Sequence, residues 1–503
     1  MSTIVTAMQE HWVLLTAVGL LVIACRRLFT PPPELAHLPR VPVLPLLWSY
    51  FTGEVEDVRI KRLLLPFAER GEGVVLVYAL GRWIVHVLDD KIAKDISADI
   101  VTWPKEEPPD DLLLWRLVGK TNVILSNGIN WQRHSRVVKS ALQRNLPIED
   151  FVNLANRLFR VMGDGGKMQW DDLAMRFTLD AVGSTTFGWD FNSIEDTNTP
   201  FVKEYSHVMD SIANPLYIVF PGLERLIPRR DIIRKIDALI AKFTNILDQK
   251  KENKGNDMLT YMLEEPEMSD VEFRDNMVVF FIAGHDTTAG AMSSLVYFFA
   301  KHPEMQVRAR AEVLAAMGTD EPNLDNLHDL PFIQACIREA LRINTPIVYM
   351  VPRASARPAE LVSALGKRYV LPANTSVILN ICAIHYNPRY WPSPSSFKPE
   401  RFMNRDDKEI AHVDAGLWMP FALGPRQCPA RNFALYEMRT LISMLLREWE
   451  WELPADSPHM DGLKNGFSPF ALSLPKNMDV VFRRGNFSRS DVKMDLHSIG
   501  PDQ

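Results

Sequence analysis

Residues 277–300 read MVVFFIAGHDTTAGAMSSLVYFFA, and no other stretch limits the fold of this chain as strongly. At helical spacing the run is apolar on all sides, so it must be enclosed rather than half-solvated. Its length would suit a membrane span, yet His285, Asp286, Thr287 and Thr288 sit mid-run. Polar groups at the centre of such a helix need partners or a task. Ser269 and Glu272 have capping-box spacing just upstream, and His302-Pro303 marks the end. Gly284 and Gly290 are expected to weaken the helix and permit a local opening where carbonyls could hold water.

Helical patterns dominate from about residue 50 onward, without a second linker, repeat or low-complexity block. Strand candidates are GVVLVYAL (73–80), WIVHVLD (83–89) and SVILNIC (376–382). The expected fold is one large domain over 50–484, mainly α with small β-sheets. Before it, Trp12 to Cys25 carries no charge and Arg26-Arg27 follow. This predicts an N-terminal membrane anchor over 1–29, with the following domain on the cytosolic side by the positive-inside rule. Residues 30–49 include TPPPELAHLPRVPVLP, a proline-rich hinge expected to be extended and stiff. Residues 485–503 form a polar tail.

The net charge is only −6, so there is no basic excess to hold nucleic acid. Cys25, Cys336, Cys382 and Cys428 are far apart and form no CxxC pair. That excludes a disulfide framework or a closely spaced zinc site and fits a reducing compartment.

One cysteine has an unusual setting, FALGPRQCPA, residues 421–430. Pro429 suits a first helical position, and Phe433, Ala434, Leu441, Ile442, Leu445 and Trp449 follow at helical spacing. Cys428 then lies at a helix N-terminus, where free N–H groups favour a thiolate, a soft metal ligand. Gly424 and Pro425 would turn backbone amides toward the sulfur, and Arg426 could meet an acidic group of a cofactor. A buried inert cysteine is the competing reading of the same residues.

FALGPRQCPA resembles the F-x-x-G-x-R-x-C-x-G heme-binding loop of the cytochrome P-450 superfamily, with matches at Phe421, Gly424, Arg426 and Cys428 and with Ala430 replacing the last glycine. AGHDTT is similar to the oxygen-activating A/G-G-x-D/E-T-T/S pattern of the same family. Glu339 and Arg342 match E-x-x-R, and PSSFKPERF (394–402) supplies Arg401 at the third position of the family's structural network. Trp131 matches the start of W-x-x-x-R, but Ser135 stands at the arginine position. Its neighbours His134 and Arg136 are the candidates to replace it, and Arg353 matches a further propionate-contacting position.

This resemblance implies the family's triangular prism, with heme between the long central helix and the cysteine loop. It implies heme b with Cys428 as axial thiolate on iron, Arg426 on a propionate, and Asp286 with Thr287 in proton delivery. It gives the variable His285 no role. The implied activity is a membrane-anchored monooxygenase of the endoplasmic reticulum. It would use O2 and electrons from a separate NADPH-cytochrome P-450 reductase, with cytochrome b5 as a further donor, because few residues follow Cys428. Arg136, Lys139 and Arg431 could steer an acidic partner.

Segments 112–123, 209–221, 280–283, 347–351 and 466–470 are apolar candidates for the pocket, with Arg116 and Lys464 as nearby cations. The chain resembles fungal microsomal members of the family, many of which act in secondary metabolism. The expected substrate is a bulky apolar molecule, a terpenoid or similar intermediate; a fatty acid or xenobiotic is the alternative. A reductase-independent isomerase or dehydratase has no use for Thr287 and Asp286, and a non-catalytic heme or lipid binder has no use for the full motif set.

Overall fold

The computed structural model of the protein describes residues 26–144, 146–265, 268–404, 413–414, 416–466, 468, 472–485 and 487, preceded by residues 12, 15, 16, 18, 19 and 23. Most of the expected anchor and the polar tail therefore lie outside the described residues. Among those that are described, no helix is long and apolar enough to cross a membrane.

The apolar run forms one unbroken helix, Asp270–Lys301. Its start is the expected capping box: Glu272 N–H donates to Ser269 Oγ at 3.4 Å, and Ser269 N–H donates to Glu272 Oε2 at 2.8 Å. Helix Trp170–Val182 packs along it. The glycines serve that packing rather than a break in the helix. A Cβ on Gly284 would lie 2.6 Å from Val182, and one on Gly290 would lie 2.5 Å from Leu474. The expected local opening is absent, and Thr287 Oγ1 donates to the Ala283 carbonyl at 2.8 Å.

Val74–Ala79 and Arg82–Val87 pair antiparallel around Leu80 and Gly81, both at positive φ, as a two-residue hairpin requires. Ser376–Leu379 adds in parallel to the second strand, and Arg353–Ala354 closes the four-stranded sheet. A second sheet joins Gly165–Gln169, Asp479–Arg484 and Trp449–Glu452.

The proline-rich segment differs from the expected extended spacer. Pro33–Leu35 is a 3-10 turn, and Val43–Phe51 is already helical. Val41 N–H donates to Leu76 O at 2.9 Å and Leu76 N–H to Pro39 O at 2.8 Å. Leu35, Leu38, Val41 and Leu46 are buried in the main core. Apolar residues between the prolines are the cause: they gain more from burial on the sheet than the segment gains from solvation.

Candidate functional site

The cysteine loop is shaped by two residues in left-handed backbone, Ala422 at φ 61° and Gly424 at φ 68°. Gly424 also needs its missing side chain, because a Cβ would stand 2.6 Å from the Ser97 carbonyl. The turn lets Cys428 N–H donate to Phe421 O at 2.8 Å. Ala430 caps the helix Arg431–Glu448 at φ −90°, a conformation that costs alanine nothing, which explains the tolerated departure from glycine. Burial raises the Cys428 thiol above its ordinary value, opposed by the Ala430 N–H and by Arg431. The Ala430 N–H and Arg431 act in the direction expected of a helix N-terminus, and a bound metal cation would add further positive charge in favour of a thiolate.

Beside this loop three cations converge. Arg426 lies with its guanidinium 4.3 Å from the centre of the Trp131 ring and donates to Ser126 O at 2.5 Å and Asn127 Oδ1 at 2.9 Å. Arg353 is buried and donates to Trp103 O at 2.7 Å. Lys105 donates from Nζ to Val351 O at 3.1 Å, and its backbone bridges to that of Arg353. Burial pushes Arg426 down to about 9, with Arg353 adding repulsion, and pushes Arg353 down to about 10. Lys105 is lowered well below its ordinary value by burial, then by both arginines. Among the described residues their side chains donate to backbone carbonyls and to the Asn127 amide oxygen rather than to a carboxylate, and Nε of both arginines is buried without a partner. Such a cluster is built for a polyanionic group that reaches it from within the protein.

Only one face of the buried helix is open. Phe280, Gly284 and Thr287 are half-buried and Ala283 is exposed, a stripe at helical spacing, while every residue from Thr288 to Ala300 is buried. Asp286 lies off that stripe, with Oδ1 3.1 Å from His285 Nε2.

Glu339, Arg342 and Arg401 come together as expected. Arg342 donates from Nε to Glu339 Oε2 at 2.7 Å and from Nη2 to Oε1 at 2.8 Å, and Arg401 Nε reaches the same Oε1 at 3.2 Å. Trp131 is brought against Arg426, but His134 is committed elsewhere. Its Nε2 donates to Glu272 at 3.1 Å and its Nδ1 accepts from Asn276 at 3.0 Å. It ties its helix, Gly128–Arg144, to the start of the long helix and has no nitrogen left for a second anion. Arg136 is exposed, like Lys139. Lys105, which the sequence reading missed, stands with Arg426 and Arg353 instead. Nothing local marks it in WPKEEPP, since only the strand pairing around Arg353 brings it in.

The two cations near the candidate pocket are also accounted for. Arg116 makes a bidentate pair with Asp237, both bonds 2.8 Å, and Lys464 is exposed. Segment 466–470 lies largely outside the described residues.

The family model described as Cytochrome P450 matches residues 39–479. The chain is 26% identical over 453 residues to cytochrome P450 monooxygenase xanG of Aspergillus fumigatus, covering 84% of this chain and 83% of that protein. It is 27% identical over 395 residues to human cytochrome P450 4F11, covering 70% and 73%. Among solved structures, the heme domain of cytochrome P450DA superposes with a TM-score of 0.75 at 22% identity, covering 90% of this chain and 98% of that one.

Proposed function

Because the chain belongs to the cytochrome P450 family of heme-thiolate monooxygenases, we propose that it hydroxylates a bulky, neutral, apolar small molecule, a terpenoid or related intermediate of secondary metabolism. Family membership implies heme b with a thiolate on iron, lying between the long helix and the cysteine loop, and the use of O2, a substrate and a redox partner. Bound there, the heme supplies the activation of dioxygen, and the thiolate pushes electron density that favours O–O cleavage.

The residues present fit that group. Cys428 is the ligand in our reading, with Phe421 and Gly424 shaping its loop. Arg426, stacked on Trp131, takes the propionates with Arg353 and Lys105, three cations that lack an anion among the described residues. His134 is withdrawn from that set, because both its nitrogens are engaged. Thr287, on the open stripe, and Asp286 beside it are the proton-delivering pair. Glu339, Arg342 and Arg401 hold the scaffold.

The observation that carries the substrate class is the state of the two candidate carboxylate anchors: Arg116 is spent on Asp237 and Lys464 points to solvent. With neither of these two cations free, the described part of the apolar site offers a fatty acid's carboxylate nothing to offset its desolvation. One relative, mouse leukotriene-B4 omega-hydroxylase 3, keeps the fatty-acid reading as the alternative. The deciding measurement is an optical titration of the holoenzyme with terpenoid scaffolds and, separately, with fatty acids. A shift of the heme toward high spin with the terpenoids is expected. A shift with fatty acids alone would overturn the substrate assignment and leave the cofactor assignment standing.

For the electron source, a separate membrane-bound NADPH-cytochrome P450 reductase, with cytochrome b5 as a further donor, is consistent with the exposed cations Arg136 and Lys139. An anchor over residues 1–29 would place the domain at the endoplasmic reticulum. Leu44 and Trp48, 80% and 71% exposed on the helix that follows, agree with a surface lying against lipid.

The cation cluster gives a two-sided prediction. Lys105→Met removes one of three repelling charges, so the heme-free protein should melt about 3 °C higher. Transfer of heme to an acceptor protein should become faster. The pH dependence has a definite sign. The folded, heme-free chain binds its Lys105 proton more weakly than the unfolded chain, so its stability should rise as pH climbs toward the ordinary lysine range. Lys105→Met should flatten that rise; an unchanged slope would remove Lys105 from the cluster.

A further inference from the structure

His285 sits one residue before Asp286, is fully buried, and uses both ring nitrogens. Its Nδ1 faces the Phe281 carbonyl one helical turn back. A carbonyl only accepts, so Nδ1 must carry a hydrogen. Its Nε2 faces Asp286 Oδ1 at 3.1 Å. With Nδ1 already protonated, that contact is a hydrogen bond in only two ways. Either the ring is an imidazolium donating to a carboxylate, or a neutral ring accepts from a protonated Asp286. Both forms contain one mobile proton. Turning the ring over would set carbon atoms against both oxygens, so the geometry leaves no third arrangement.

We propose that His285 and Asp286 hold one exchangeable proton between Nε2 and Oδ1, and that His285 is the positioning residue that keeps Asp286 loaded for proton delivery beside Thr287. The inference rests on the monooxygenase reading for its use, but not for its existence. In the step itself the Nε2–H bond breaks and an Oδ1–H bond forms. This leaves a neutral imidazole still bonded through Nδ1–H to Phe281, and no oxidant or reductant is needed. Reloading runs through Asp286, whose side chain keeps 13% exposure against 2% for His285.

The surroundings enforce this sharing. Tyr205, from helix Pro200–Ile212, faces the ring with centroids 5.4 Å apart. Burial, followed by Asp286, raises its hydroxyl well above its ordinary value, so it stays neutral beside the pair. The rest of the wall is aromatic, with Phe281 against the ring and Phe201 and Phe243 behind it. Charged groups on the neighbouring helices are engaged elsewhere: Asp180 by the Ser193 and Ile194 N–H groups, Asp237 by Arg116, and Glu204 by Lys242. Burial alone would lower His285; the Asp286 charge, its hydrogen bond and the Phe281 carbonyl together raise it above its ordinary value. The loaded form therefore persists to higher pH than an ordinary histidine would hold its proton, and is lost as pH rises through that elevated value.

The test combines a titration with a coupling measurement on the full-length holoenzyme. Histidine-selective 15N NMR of the ferrous carbon-monoxide complex should find one imidazolium that titrates above the ordinary histidine range, assigned by its loss in His285→Gln. In Asp286→Asn the same ring should titrate lower than in the wild type, since only the Phe281 carbonyl is left to oppose burial. His285→Gln keeps a donor toward Asp286 but cannot store a proton. It should retain the thiolate spectrum, divert roughly tenfold more of the consumed NADPH to hydrogen peroxide, and lose the alkaline fall of coupled turnover expected of the wild type. If His285→Gln does not fold, His285→Asn serves for both measurements. A wild-type His285 that shares no proton with Asp286 at any pH, a titration unmoved by Asp286→Asn, or unchanged coupling and pH profile would each overturn the proposal. A missing thiolate spectrum in the wild type would instead overturn the monooxygenase reading and leave the NMR result on the proton standing.

Discussion

Replacing Cys428 with serine is expected to abolish monooxygenase turnover while leaving the fold intact. The backbone of the loop is held without the sulfur, through the Cys428 N–H bond to Phe421 O, the left-handed Ala422 and Gly424, and the packing of Gly424 on Ser97. Serine is nearly isosteric and can accept the same Ala430 N–H that the sulfur receives. The thermal midpoint should therefore move by no more than a surface substitution would move it, under ~0.5 kcal/mol in stability. The chemistry differs far more. A serine hydroxyl is a hard, reluctantly ionised donor, whereas the thiolate is soft and electron-rich. The long-wavelength Soret band of the ferrous carbon-monoxide complex should vanish and product formation should fall below detection. Retention of that band would mean that another cysteine binds iron. Cys336 and Cys382 are both fully buried, with burial raising each thiol, and both are poor substitutes for the ligand.

What could be read in the sequence was whatever is local in the chain. The long helix announced itself through composition, its capping box through a four-residue spacing, and the first hairpin through two β-rich runs around a glycine. The Glu339–Arg342 pair lies within a single helical turn. The misreadings share a different origin. Gly284 and Gly290 looked like weak points in a helix, and only the neighbours Val182 and Leu474 reveal that they are contact points. His134 looked like a substitute for a missing arginine because it adjoins Ser135. Its actual partners, Glu272 and Asn276, come from well over a hundred residues further along. Lys105 was invisible for the same reason, since its place beside Arg353 is decided by strand pairing. His285 was set aside because its motif position is variable. Its partners Phe281 and Asp286 are local, and tautomer counting on a helical wheel would have found them.

The second large effect is expected where no chemistry occurs. Glu339 and Arg342 are both fully buried, and the carboxylate receives two bonds from Arg342, one from Arg401 Nε and one from Lys398 N–H at 3.1 Å. Arg342 Nη1 also donates to His385 O at 3.0 Å. His385 donates from Nδ1 to Arg342 O and accepts the Met419 N–H at Nε2, both at 3.1 Å. That tautomer requires a neutral ring, and burial, then repulsion from Arg342, pushes His385 down to about 3. Met419 is two residues before Phe421, whose carbonyl holds the Cys428 N–H. The network thus fixes the cysteine loop through His385. Arg342→Ala would leave a buried carboxylate with only Arg401 and one backbone amide, at a cost of about 3–5 kcal/mol. Against a total stability of about 5–15 kcal/mol, much of the protein should then be recovered unfolded or without heme. Arg342→Lys should rescue little, because an ammonium cannot supply the bidentate fork and the His385 bond together. Glu339→Leu combined with Arg342→Met should be less damaging than either charge-stranding single variant, since both fully buried ions are gone and Arg401, partly exposed, keeps its bonds to Pro392 O and Ser393 O. Thermal melts and heme content of these variants provide the check: additive losses in the double variant would mean that the two residues do not act as a pair.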